Sequence, residues 1–192
     1  MPTDNTIIII IVVVLLAVIL GALFGSRKRR SEKLREKFGP EYDYTVNKVG
    51  DQKAAEETLH EREKRVTNFN IRTLENTERE RYQSEWNKIQ ADFVDYPPKS
   101  VEEANRLISE VMVGRGFPVT DFEQRAEDLS VMYPNLVSNY RNAYAIAMKN
   151  QNDGSSTEEL RQSMVYYRSL FEELLGNPDV KEGRNNQKEV ST

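Results

Sequence analysis

The residues able to carry acid–base, metal or nucleophilic chemistry are few and scattered. The chain has no cysteine and a single histidine, His60. Without thiols there are no disulfides, thiolate metal sites, cysteine nucleophiles or lipid anchors on cysteine. His60 lies beside Glu61 and Glu63 in a highly charged stretch, with no second ligand at i+4, so its type and spacing predict a surface residue. Carboxylate pairs occur at Glu102-Glu103, Glu127-Asp128, Glu158-Glu159 and Glu172-Glu173. Adjacent acids point in different directions on a helix, and the inward Glu-x-x-His pairs of a di-iron bundle are absent. They read as solvated acids. "GRGFP" at 114–118 has two glycines but lacks the Lys-Ser/Thr of a phosphate loop and follows a helical pattern, so it reads as a turn. There is no Gly-x-Ser-x-Gly elbow for a serine triad. The expectation is a chain that is not an enzyme and takes no cofactor or metal.

Phenols are the one unusual concentration. Tyr133, Tyr140, Tyr144, Tyr166 and Tyr167 crowd the C-terminal half. Because they share the apolar stripes described below, they read as core rings with hydroxyls at the edge. The competing reading is a small-ligand receptor or enzyme using a tyrosine-lined pocket in residues 133–171, walled by Tyr140, Tyr144 and Tyr167.

The elements that must position these residues are helical. "DQKAAEETLHEREKRV", Asp51 to Val66, is rich in helix formers, with Ala55, Leu59 and Val66 on a thin stripe that predicts a lightly docked surface helix. Five helical patterns then follow. Capping boxes are expected at Thr77 with Glu80, Ser100 with Glu103 and Thr120 with Glu123. Tyr82, Trp86, Ile89 and Phe93 give the first helix an aromatic face, and Val101, Ala104, Leu107, Ile108 and Val111 line the second. After "GRGFP" come Phe122, Ala126 and Leu129. Pro134 suits the first turn of a fourth helix carrying Val137, Tyr140, Tyr144 and Met148. The last stripe is Leu160, Met164, Tyr167, Phe171 and Leu174, stopped by Gly176-Asn177-Pro178. Beyond it, Asp179 to Thr192 has only two apolar residues, Val180 and Val190, and reads as a disordered tail. No period-two alternation of strand length occurs outside the first apolar run, and no repeat at a fixed period is present.

That first run answers to a different solvent. Ile7 to Phe24 are 18 residues with no charge, Asn, Gln or Pro. As a helix they span about 27 Å, close to the roughly 30 Å of a hydrocarbon layer. Eight β-branched residues in a row, Ile7 to Val14, favour a strand in water. In lipid a lone segment must satisfy its own backbone hydrogen bonds, which overrules that preference. A cleaved signal fits less well: "MPTDNT" carries no Lys or Arg, the run is long, and the small-x-small site is weak. Arg27, Lys28, Arg29, Arg30 and Lys33 follow the span and nothing basic precedes it, which predicts an outside N-terminus and a cytoplasmic body. These cations form the membrane-surface site and could also hold anionic lipid. Past them, Gly39-Pro40 interrupts any helix and predicts a hinge. The chain as a whole carries −4, but Phe38 to Thr192 holds 20 basic against 28 acidic residues. An acidic body is unsuited to nucleic acid phosphates.

The predicted class is all-α: one N-terminal transmembrane helix followed by a soluble bundle of about five helices. The expected division is 1–25 tail and span, 26–76 collar, hinge and charged spacer helix, 77–176 bundle, and 177–192 tail. The runs "REKFGPEYD", "ERERYQSEWNKIQADFVDYP", "EVMVGRGFPVTDFEQRAEDLSV", "NYRNAY" and "TEELRQSMVYYRSLFEELL" together resemble a family of uncharacterised bacterial membrane-anchored or exported proteins. The resemblance covers most of Arg35 to Leu175 and implies no established activity and no catalytic residues. In similar proteins the stretch matching "VMYP" tends to read Val-Asp-His-Pro and the position of Tyr166 is often His, so chemistry resting on those side chains does not carry over to Met132, Tyr133 and Tyr166. The expected function is a protein-interaction or scaffold module at the membrane face. Its partners are the bilayer, through residues 7–24, and a protein of unknown identity. Arg115, Asp121, Glu123 and Arg125 are the candidate partner surface; as a counter-reading, first-turn residues of a helix cap and bridge it.

Overall fold

The computed structural model describes Leu15, residues 29–152 and residues 154–176. The expected membrane span at Ile7–Phe24 lies, Leu15 apart, outside the described residues, as do Arg27, Lys28 and the tail from Asp179. Among the described residues every regular element is a helix, in agreement with the all-α class, and none is long and apolar enough to cross a membrane. Residues 29–38 form α1. They are followed by α2 (Pro40–Val49), α3 (Gln52–Thr67), α4 (Asn76–Asp92), α5 (Pro97–Gly114), α6 (Phe122–Met132), α7 (Val137–Asn152) and α8 (Thr157–Leu175). The chain divides into two compact units, Met1–His60 and Glu61–Thr192, and the division falls inside α3.

In the first unit the interruption at Gly39-Pro40 is real but brief. Gly39 turns the chain at a positive φ of 48°, and Pro40 then opens α2. Sequence reasoning took Pro40 as a breaker and missed α2. A proline has no N–H to lose in the first turn and its fixed φ suits a helix start. α2 ends at Gly50 in the left-handed conformation, whose N–H reaches the Val46 carbonyl at 2.8 Å. Asp51 caps α3 by accepting from the Ala54 N–H at 2.8 Å. Leu34, Phe38, Tyr42, Ala55 and Leu59 are the buried apolar residues here.

In the second unit α5 and α8 are the central pair: α8 packs on α5 and α7, α5 also meets α4 and α7, and α6 lies against α7. The expected stripes become the core. Tyr82, Trp86 and Ile89 are buried on α4, Val101 to Val111 on α5, and Leu160 to Leu174 on α8. Trp86 stacks on Phe171 with ring centroids 4.8 Å apart and planes 17° apart. On α7 the stripe is rotated from expectation. Ala143 and Ala147 are buried with Val137 and Tyr140, while Tyr144 and Met148 stand only partly buried. Small residues at the α7–α8 contact let the backbones approach, and Ser163 of α8 donates to the Ala143 carbonyl at 3.2 Å.

The caps were misplaced at three of the five starts. α4 begins one residue ahead of Thr77, with Glu75 at its cap, and the Glu75 N–H donates to the Glu78 carboxylate at 3.0 Å. Glu78 is also gripped by both Arg72 Nη atoms at 2.7 Å, which settles the start. α5 begins at Pro97, so Ser100 is an interior, buried residue. At α6 the cap is Asp121, not Thr120; its carboxylate accepts from the Gln124 N–H at 2.9 Å. Pro134 lies in the turn before α7, which starts at Val137. The capping box that went unread is Ser156 with Glu159: the Ser156 N–H donates to Glu159 at 2.8 Å and the Glu159 N–H to Ser156 Oγ at 3.2 Å.

Candidate functional site

Within the collar, Arg29, Arg30 and Lys33 are exposed on α1. Arg30 Nε donates to His60 Nε2 at 3.0 Å, so the lone histidine is engaged with the collar. One turn earlier on α3, the Glu56 carboxylate accepts from Ser31 Oγ at 2.6 Å, Tyr42 Oη at 2.8 Å and Gln52 Nε2 at 3.0 Å. Burial pushes this carboxyl upward, but the bonds from Ser31, Gln52 and Tyr42 and the Arg30 charge more than reverse it, holding it below its ordinary value. The network joins α1, α2 and α3 through one anion. Arg30 apart, none of its partners was singled out in the sequence, because a glutamate 25 residues from a serine leaves no periodic signal.

Of the candidate partner residues, the two arginines face inward. Arg115, at the end of α5, is buried, and its Nη1 donates to the Leu174 carbonyl at 2.7 Å while Nη2 donates to Tyr133 Oη at 3.1 Å. Leu174 is in the last turn of α8, where carbonyls lack helical partners and the dipole favours a cation, so Arg115 caps a helix 59 residues away. Its own carbonyl accepts from the Arg72 N–H at 2.9 Å. Gly116 follows at φ 95°, and a Cβ there would stand 2.1 Å from the Asn70 carbonyl oxygen. "GRGFP" is thus a turn, as read, whose glycine lets two backbones touch and whose arginine clasps α8. Arg125 Nη2 donates to the Thr120 carbonyl at 3.1 Å and Nη1 bonds Ser109 Oγ of α5. Asp121 and Glu123 are exposed, and Val119 beside them is 85% exposed.

An ionic contact of the interior was missed. Arg62 falls in the gap of the α3 stripe between Leu59 and Val66 and its side chain is only 2% exposed. Arg62 Nη2 meets Glu127 Oε1 at 3.1 Å, and Arg65 Nε meets the buried Asp128 at 2.7 Å. Glu127-Asp128, read as solvated acids, instead anchors the second half of α3 to α6. An arginine on an otherwise apolar stripe was the available signal.

The tyrosines separate by environment. Tyr133 is partly buried on Arg115; burial raises its hydroxyl above the ordinary value against the Arg115 charge. Tyr144 stacks on Phe122 at 3.6 Å between centroids, 6° between planes. Tyr166 is partly buried. Tyr140 and Tyr167 are fully buried, and neither hydroxyl has a well-formed hydrogen bond among the described residues. A groove of about 620 Å³ lies elsewhere, lined by Arg79, Glu80, Gln83, Ser84 and Asn87 of α4 with Glu172, Leu175 and Gly176 at the end of α8; no tyrosine lines it. The described residues contain no group of three His, Asp or Glu side chains placed to hold a metal ion. Comparison of the chain with protein-family models, curated proteins and solved structures finds no match.

Proposed function

We propose that this chain is a single-pass membrane protein whose outside N-terminus and Ile7–Phe24 span tether a cytoplasmic helical body, and that the body binds another protein at the membrane face. The observation that carries the reading is the sequence order of an 18-residue uncharged run followed directly by Arg27–Arg30. An uncharged run of that length suits the hydrocarbon layer, and cations on one side only set the orientation. Support for binding comes from Val119, whose side chain stands 85% exposed between Arg115 and Asp121. Arg115 and Arg125 hold this loop from within, so Val119, Asp121 and Glu123 present its outer face. A loop with an apolar tip followed by acidic residues suits a partner with an apolar pocket bordered by basic residues.

The absence of cysteine makes the test direct. Single cysteines at Thr3 and at Val94, which is 81% exposed, are exposed in intact cells to a membrane-impermeant maleimide. Labelling at 3 with protection at 94 is expected; labelling at 94 refutes the orientation, and recovery of the chain in the soluble fraction refutes the anchor. Photo-crosslinking from position 119, with position 94 as an equally exposed control, tests the surface. A discrete adduct from 119 alone is expected, and equal yields from both positions refute the assignment.

A further inference from the structure

Four helices of the second unit each bring one polar group to a common interior region: Ser109 from α5, Arg125 from α6, Tyr140 from α7 and Tyr167 from α8. Ser109 Oγ is bonded by Arg125 Nη1 and itself donates to the Asn105 carbonyl at 3.0 Å. Tyr140 Oη lies beside Ser109 without a well-aligned hydrogen bond, and Tyr140 and Tyr167 are close enough to each other and to Arg125 to feel their charges. Phe122 packs against the Tyr140 ring at 5.0 Å and closes one side.

The region is rich in donors and positive charge. Two fully buried phenol hydroxyls have no well-formed partner among the described residues, and Arg125 Nε is likewise buried without one. No carboxylate among the described residues pairs with Arg125; its bonds go to a hydroxyl and a backbone carbonyl. A buried hydroxyl without a partner costs roughly 1–3 kcal/mol, so two in one core are an expensive arrangement unless something accepts from them. Hydroxyl and guanidinium N–H groups both donate, and a cation lacking a counter-ion selects an anion. Burial raises Tyr140 to about 12 and raises Tyr167 as well, so both remain protonated donors near neutral pH. Ser109, Arg125 and Tyr144 are only partly buried, so the region lies near the surface of the second unit on that side.

We propose that Tyr140, Tyr167, Ser109 and Arg125 form a binding site for a small monovalent anion of about chloride size. The site is independent of the membrane function proposed above. A bound anion accepts from both phenols while balancing Arg125, which ties α6, α7 and α8 to α5.

The test is thermal unfolding of the full-length chain in neutral detergent, with chloride exchanged for gluconate at constant ionic strength. Gluconate is a much larger monovalent anion than chloride and holds the ionic strength constant. At chloride ten times above its dissociation constant, the melting temperature is expected to rise by roughly 3–6 °C over gluconate. Y140F and Y167F are conservative and keep the rings; each is expected to shrink that rise, and the double variant to abolish it. Three results overturn the proposal. Equal melting in both salts with Phe variants as stable as wild type means the hydroxyls hold nothing. Destabilised Phe variants without any salt difference mean that water is the acceptor. A chloride effect that survives in the double variant places the anion elsewhere.

Discussion

Removing the Glu127 carboxylate tests whether the second half of α3 is held to α6 by charge. Arg62 Nη2 stands 3.1 Å from Glu127, with the arginine side chain 2% and the glutamate 23% exposed. Breaking a fully buried pair from one side costs about 3–5 kcal/mol, because the remaining charge has lost its counter-ion in a low-dielectric setting. The partial exposure of Glu127 and the nearby Asp128 reduce that figure, so Glu127→Ala is expected to cost about 2–3 kcal/mol. Replacing both groups by apolar ones removes the stranded charge. The double variant Arg62→Met with Glu127→Leu is therefore expected to be more stable than Glu127→Ala alone, within about 1 kcal/mol of wild type. Urea unfolding followed by fluorescence reads this cleanly, since Trp86 is the only tryptophan and sits buried against Phe171. A Glu127→Ala loss under about 0.5 kcal/mol, or a double variant less stable than that single one, would refute the ionic clasp.

Three further outcomes follow from single positions. Gly116→Ala combines a positive φ of 95° with a Cβ 2.1 Å from the Asn70 oxygen, whereas Gly154→Ala, at φ 78°, meets nothing within 4 Å. The first is expected to cost more than about 2 kcal/mol and the second about 1 kcal/mol, and equal losses in urea unfolding would contradict the close approach. Arg115→Ala loses two bonds from a buried cation and is expected to cost about 2–3 kcal/mol; Arg115→Lys, one donor on the same carbonyl, should recover part of it in the same assay. For pH, Glu56 is depressed in the folded chain from an ordinary 4.5, so on acidification the unfolded state takes up its proton first. Its contribution is present above about pH 4.5 and is lost as pH falls through the folded value, so hydrogen exchange in residues 29–38 should rise there. Glu56→Gln should flatten that rise, and an unchanged profile would contradict the network.

What the sequence determined by itself is most of what is periodic. The helical class, the core faces of α4, α5 and α8, the breaks at Gly114 and Gly176, and the extent of α3 to within a residue were legible, because spacing of 3 and 4 encodes a buried stripe without reference to any partner helix. α2 was lost because Pro40 acts as a starter or a breaker according to which side of it the helix lies. Thr77, Ser100 and Thr120 were plausible caps, and tertiary ties such as Arg72 on Glu78 chose other starts. The α7 face rotated toward Ala143 and Ala147 because interhelical distance, not side-chain size, decides which residues sit at a helix contact. Only the folded chain could show that Arg62 fills a core position, that Arg115 caps α8, that Glu56 joins three helices, and that Ser109, Arg125, Tyr140 and Tyr167 converge. Each joins residues distant in sequence, and a charge or hydroxyl acquires its meaning from what burial places beside it.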